Sequence, residues 1–552
     1  MSEVEVPGGV SGIGGWLDDR LHGAGYMRTL MRKVFPDHWS FLLGEIALWS
    51  FVILLLTGTF LAFFFVPSMT EVTYHGTYTK LNGISMSEAY KSTLRISFDV
   101  RGGMLMRQIH HWAADLFVAS IIAHMLRHFF TGSYRKPREL NWLIGIVIFS
   151  LAIVEGLFGY SLPDDQLSGA GIRIFEGVLL GLPIIGTYVT FFLFGGQFPG
   201  HDIIPRLYII HVLLIPGIIL ALVTAHLLLV FHQKHTAFPG LRQTEKLETG
   251  QPFYPYFIAK GTAWFFFIFG ILAVLGTFAQ INPIWLYGPY SPLAISSGSQ
   301  PDWYMGFLEG ALRMMPAWEI NFLGHTVTFS VLIPFAVPFG IILGGAALWP
   351  WFEAWATGDK AAHHILDRPR NVPVRSGVGM AAVVFYGLLW AEGANDVISD
   401  KLQIPLYTVT WISRVLVIVG PVIAFFLTRR ICLGLQAKDR EQLEHGIESG
   451  IIRQAPNGKF EEISDPLSEE ERAVLVPRNG LTVERLPGKV DRDGVLVPGG
   501  GKARATLRGR ANRAFIEALP LPPGNGHADE PAHRDGNGHT EPAELPGADG
   551  HN

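Results

Sequence analysis

The chain has 552 residues, of which 49% are hydrophobic and only 16% charged, with 38 Phe and 14 Trp. Apolar runs of that length and richness point to a multi-pass membrane protein, and the near-neutral net charge of −4 gives no case for nucleic acid as a partner. The single cysteine, Cys432, excludes a disulfide framework and a thiolate iron–sulfur site, and no CxxCH is present for covalent haem attachment.

In chain order, residues 1–40 are polar and lack the apolar core of a cleavable signal peptide, so the first apolar segment is expected to insert the protein by itself. Eight spans are predicted, at about 41–66, 104–131, 140–162, 203–231, 260–280, 326–350, 377–396 and 404–428. The apolar stretch 170–193 is broken by Gly181, Pro183 and Gly186 and reads as a surface helix or hairpin. Basic residues cluster in GSYRKPREL after the second span, at Lys234, Arg242 and Lys246 after the fourth, and at Arg368, Arg370 and Arg375 near the seventh, which assigns that side and both termini to the cytoplasm. Lys80, Lys91, Arg95 and Arg101 in the first outer loop run against this assignment. The divisions expected are 1–40, a bundle of the first four spans over 41–235, the remaining spans over 236–432, and a cytoplasmic extension over 433–552. Charged and apolar patches alternate to about 515. After Pro520 the Gly, Pro, Asp, Glu and His content, with GNGH twice, reads as disorder.

Four histidines carry the chemistry. His110 and His124 lie in the second span, His211 and His226 in the fourth. At about 100° per residue, the step of 14 ends roughly 40° short of four turns and the step of 15 roughly 60° past, so each pair keeps to one face of its helix. A rise of about 1.5 Å per residue puts the two depths roughly 20 Å apart. One intramembrane histidine is commonly a satisfied packing residue. Four at matched depths instead frame two stacked b haems, each held by two imidazoles, which leaves no open iron position and suits electron transfer. His111 falls about 140° from His124 and reads as a neighbour facing protein or lipid. Gly44 and Gly58 in the first span, and Gly145 and Gly159 in the third, repeat the period of 14 and permit close approach to a macrocycle or helix.

On the residues alone, a haem-bearing membrane anchor for a quinone-linked dehydrogenase and a transporter with histidine proton relays remain open. The motifs narrow the choice. LLTGTFLA, MRQIHHWAADLFVASIIAHMLR with TGSY, FGYSLP with LPIIGT, PRLYIIH to HLLLV, and PDWY with LRMMP together resemble cytochrome b of the respiratory quinol:cytochrome c oxidoreductase over roughly residues 35–430. The implied fold is an all-α membrane protein with a di-haem four-helix bundle, four further helices and a mostly irregular cytoplasmic tail.

The resemblance implies that His110 and His211 hold a low-potential haem near the outer face, and His124 and His226 a high-potential haem near the cytoplasm. Arg107 and Arg206 match arginines that neutralise propionates of the outer haem, and Arg127 one near the inner haem. Asp302 of PDWY is expected to accept a proton from quinol at an outer oxidation site beside Tyr304 and Tyr160, with Glu309, where relatives often carry tyrosine, as a second proton carrier. At the inner quinone site FYPYFIAK supplies Lys260, but Gly261 stands where the family carries an aspartate, leaving His232, His235 and Lys260 as candidates. Fourteen residues rather than 13 separate the histidines of the fourth span, PDDQ replaces the usual PWGQ, and the first span lacks the cysteine that anchors an extra haem elsewhere. These departures resemble the actinobacterial branch. They imply menaquinol as donor, a Rieske iron–sulfur protein and a c-type cytochrome subunit as partners, a homodimer, and room for a supercomplex with a terminal cytochrome c oxidase.

Overall fold

The computed structural model describes residues 12–246, 249–294, 300–477, 488–490, 496–498 and 507–516. Among them eight helices are long and apolar enough to cross a membrane: α1 (Trp39–Ala62), α2 (Gly103–Thr131), α3 (Glu139–Ser161), α4 (Ile203–Gln233), α5 (Phe253–Phe278), α6 (Phe329–Thr357), α7 (Pro373–Gly393) and α8 (Leu406–His445). They are apolar around most of their circumference, as expected where both a protein neighbour and lipid replace water.

The loops sort into two groups that bond within themselves. At one end Tyr90 donates to the Ile284 carbonyl at 3.0 Å, Gln108 makes two 2.8 Å bonds with the backbone of Ile281, and Asp165 bridges to Pro289. At the other end Ala237 bridges to Ile365, and Arg138 donates to the carbonyls of Lys234 at 2.9 Å and His363 at 2.7 Å. Odd and even loops therefore lie at opposite ends, as alternate crossings require. The basic end is tied by a buried ion network, in which Arg375 meets Glu353 at 2.8 Å and Asp367 at 2.7 Å, and Arg135 reaches Asp367 at 3.1 Å. Removing one member would strand its buried partners, so this network is destabilising to break.

The broken stretch 170–193 forms two helices, Gln166–Leu180 and Gly186–Phe194, turning at Gly181 and Pro183. Asp165 and Ser168 form a capping box at the start of the first. Helix α2 stops where Gly132 takes φ +65°, a left-handed conformation that costs glycine nothing.

The last span runs further than expected. Helix α8 continues past Arg429 and Arg430 to His445, because QAKDREQLEH is made of good helix formers and Gly446 is the first stop. Arg368 and Arg370 hold it through Asp439 at 3.0 and 2.8 Å. The extension is also more regular than its composition suggests, with a hairpin of Ile447–Gln454 and Phe460–Asp465 and short helices Glu469–Leu475 and Leu507–Ile516. Phe515 packs near Trp349 of α6, ring centroids 6.2 Å apart. The stretch after Pro520 lies outside the described residues.

Candidate functional site

Helices α1 to α4 bring the four histidines together in two pairs. His110 and His211 lie with ring centroids 6.2 Å apart, and His124 and His226 line one cavity of about 490 Å³ at the basic end. Helix α4 achieves this by a local change of winding: Ile210–Leu214 is a π-helical turn that contains His211. Such a turn absorbs one extra residue without advancing the face, so the step of 15 from His211 to His226 acts as a step of 14. The fourteenth intervening residue and the π turn are one feature, and the roughly 60° overshoot read from an ideal helix does not arise.

Each histidine ring faces one of the four glycines. A Cβ at Gly44 would stand 2.9 Å from His124 Cε1, at Gly58 3.1 Å from His110 Cε1, and at Gly145 3.7 Å from His226 Cε1, while at Gly159 it would overlap the His211 ring. The period of 14 shared by glycines and histidines is thus a set of four ring-to-backbone contacts between neighbouring helices.

The ring nitrogens differ in their partners. His110 Nδ1 lies 2.9 Å from Thr57 Oγ1, and His211 Nδ1 lies 2.9 Å from Glu155 Oε1. Bonds of this kind fix which ring nitrogen is free to ligate. His124 Nδ1 and His226 Nδ1 are buried without a partner. Three arginines carry buried, unpartnered nitrogens at the same depths: Arg107 Nε, Arg206 Nη1, and Arg127 Nε and Nη2. Arg107 otherwise donates to the Asn282 carbonyl at 3.1 Å, Arg206 to Asp202 at 2.9 Å, and Arg127 lies over the Phe41 ring at 4.3 Å. Buried donors without acceptors are costly, and an anionic group such as a propionate would satisfy them. The donor set and the cleared backbone fit a haem at each of the two depths, where Arg107 and Arg206 or Arg127 would meet its acidic groups.

At the other end, PDWY closes over α2. Asp302 accepts from His111 Nε2 at 2.9 Å and from the Tyr304 hydroxyl at 3.1 Å, and Trp303 donates to Asp115 at 3.0 Å. Tyr160 lies beside this group, its ring 6.3 Å from that of His111. Glu309 pairs instead with Arg313, which also holds Asp396 at 2.8 Å. Burial pushes the Glu309 carboxyl up against the opposing pull of Arg313. His111 and Asp115 were missed as members of this site. Their spacing of four on α2 was the available signal, since it puts both on one side of the helix.

Around the inner cavity, His235 presents a buried Nε2 without a partner, and burial with the charges of Arg138, Arg127 and Lys33 pushes its imidazole down to about 3. It is therefore neutral. His232 is exposed at the end of α4, and Lys260 forms a half-exposed ion pair with Asp37 at 2.5 Å.

Comparison with known proteins decides the family. The chain is 51% identical to the cytochrome bc1 complex cytochrome b subunit of Streptomyces coelicolor over 90% of its own length and 91% of that protein's. It is 50% identical to the same subunit of Corynebacterium efficiens over 86% and 88%, and 51% identical to that of Mycobacterium tuberculosis over 82% of each. The chain belongs to this family of cytochrome b subunits. A family model described as cytochrome b (N-terminal)/b6/petB matches residues 115–289. A solved chain of a hyperthermophilic respiratory complex III, 24% identical, shares the fold with a TM-score of 0.57 over 75% of this chain and 98% of its own. As a cytochrome b subunit the chain is an all-α, multi-pass membrane protein of a respiratory quinol:cytochrome c oxidoreductase.

Proposed function

We propose that this subunit oxidises menaquinol at an outer site and returns one of each pair of electrons to a quinone near the cytoplasm, with His110 and His211 as ligands of an outer b haem and His124 and His226 as ligands of an inner one. The observation that carries this reading is the matching of four histidines with four facing glycines at two depths. Bound there, the haems would carry single electrons between the two depths. Arg107 and Arg206 balance acidic groups at the outer depth and Arg127 at the inner depth.

At the outer site quinol must lose protons before its electrons can separate. Asp302 is the acceptor; His111 and Tyr304 orient its carboxylate by donating to it, and Tyr160 borders the space. The first electron leaves to a Rieske iron–sulfur protein and onward to a c-type cytochrome subunit. Both are needed because this chain has one cysteine and no CxxCH. The basic ends of the helices and both termini face the cytoplasm, so protons are released outside and taken up inside. The unit works as a homodimer, and a supercomplex with a terminal cytochrome c oxidase would receive its electrons. The four divisions of the chain follow these roles, the first four spans holding the haems and the rest completing the outer site.

Asp302→Asn keeps the side-chain shape and removes the base. Quinol:cytochrome c turnover is expected to fall about 100- to 10,000-fold, with both b-haem bands retained in the reduced-minus-oxidised spectrum of the same preparation. Turnover equal to wild type across the pH range would remove Asp302 from the mechanism, and a lost haem band would make its role structural.

A further inference from the structure

The inner cavity carries two polar atoms on α1 that no described residue satisfies. Glu45 Oε2 and Trp49 Nε1 are both buried, both without a hydrogen-bond partner among the described residues, and both residues line the 490 Å³ cavity, whose His124 and His226 side is the proposed inner-haem position and whose lining also includes His235. They stand four residues apart, one above the other on the helix, as an acceptor and a donor. Leaving buried polar groups unsatisfied is costly, and an apolar cavity with a few convergent polar atoms is the usual form of a small-molecule site.

The opposite wall explains why the carboxylate has room. Gly261 of α5 is buried, and a Cβ there would lie 3.8 Å from Glu45 Oε2 and 3.8 Å from Trp49 Cζ2. Glu45 therefore fills from α1 the space that a side chain at position 261 would fill from α5. Lys260, the preceding residue, acts electrostatically on Glu45 and forms the Asp37 ion pair at the partly exposed mouth.

We propose that Glu45 is the proton-donating carboxyl of the inner quinone-reduction site, with Trp49 as the donor that holds a quinone oxygen. This rests on the two-site reading above. Reduction of one quinone takes two electrons, delivered from quinol oxidised at the outer site, and two protons. Glu45 as the acid gives one: its O–H bond breaks, an O–H bond forms on the quinone oxygen, and the carboxylate left behind regains a proton from water at the Lys260 and Asp37 mouth. The second proton comes from water on the same side. Neutral His235 accepts or donates a hydrogen bond across the cavity and carries no net charge into it.

The test uses the purified complex carrying Asp302→Asn, in which the outer entry is blocked and haem reduction by added menaquinol measures the inner site alone. Adding Glu45→Gln is expected to slow that reaction about 100-fold while both haem bands persist. It should also delete a carboxyl band from the infrared difference spectrum of quinone reduction. Glu45→Gln with Gly261→Asp restores a carboxyl to the same space from the other helix and is expected to recover both signals in part. An unchanged rate and an unchanged carboxyl band in Glu45→Gln would overturn the assignment. So would loss of the inner haem band in both variants, which would mark Glu45 as a packing residue. If the Asp302→Asn complex with Glu45 intact shows no inner-site haem reduction and yields no extractable quinone, the two-site reading itself has failed.

Discussion

Alanine replacement of the four glycines, one at a time, ought to give a graded response that the ring contacts dictate. A Gly→Ala change inside a helix gains roughly 1 kcal/mol of helix propensity. Against it stands the clash of the new Cβ, and overpacking of a filled site costs about 1–3 kcal/mol. At Gly145 the nearest ring atom is 3.7 Å away, an ordinary contact, so the propensity gain prevails and the inner haem is retained in full. The contact is 3.1 Å at Gly58 and 2.9 Å at Gly44, and at Gly159 the Cβ falls inside the His211 ring, so the cost rises in that order. The net loss, up to about 2 kcal/mol once the propensity gain is subtracted, corresponds to a haem affinity reduced by up to about 30-fold. Gly58→Ala and Gly159→Ala should deplete the outer haem, Gly44→Ala the inner one. Reduced-minus-oxidised spectra normalised to polypeptide, with the two b bands resolved, measure this directly. Equal retention in all four variants, or greater loss in Gly145→Ala than in Gly159→Ala, would refute the claim that the glycines clear the ligand rings.

Replacing His124 or His226 by Ala should remove the inner b band, and replacing His110 or His211 the outer one; two distinct bands surviving in His110→Ala would break the ligand assignment. His111→Ala leaves Asp302 with Tyr304 as its hydrogen-bond donor and is expected to lower quinol turnover by at least tenfold at unchanged haem content, with His111→Asn recovering part of it and KM nearly unmoved. Asp164, buried in the PDDQ turn, has its carboxyl pushed up to about 7 by burial, with Ser87 opposing and Asp165 reinforcing. The folded state then holds a proton that the unfolded chain releases near pH 4, so stability is full below that value and falls as pH rises to about 7. Asp164→Asn should remove this loss, worth at most about 4 kcal/mol, and raise the thermal midpoint at pH 8 but not at pH 4. Identical midpoints at pH 8 would contradict the burial argument.

Much of this was legible because membrane helices obey simple arithmetic. Hydropathy located all eight spans, and a spacing of 14 placed both histidines of α2 and two glycines on each of α1 and α3 on consistent faces. In α4 ideal winding gives the step of 15 an overshoot of roughly 60° that still keeps both histidines on one face, and a π turn removes that overshoot; the turn is a local hydrogen-bond choice that periodicity does not encode. The end of α8 was placed 17 residues early because the prediction tracked apolarity, whereas helix formation continues in water on propensity and on the Asp439 ion pairs. Glu45 was invisible for a different reason. Its importance lies in Gly261 on another helix 216 positions away, and the spacing of residues within one helix says nothing of what faces it.

In the proposed mechanism the adjacency of His110 and His111 lets one helix serve electrons and protons at once. Consecutive residues on a helix point about 100° apart. With His110 turned into the bundle toward Gly58 and His211, its successor is turned out of it, toward PDWY. The imidazole proposed as a haem ligand and the imidazole that bonds Asp302 are thereby fixed to each other by one peptide unit. An insertion between them would rotate one site off its target while the other stayed in place. On the proposed reading the electron-accepting and proton-accepting groups of the outer site are locked in register by α2, and PDWY has only to deliver the Asp302 carboxylate to a fixed donor.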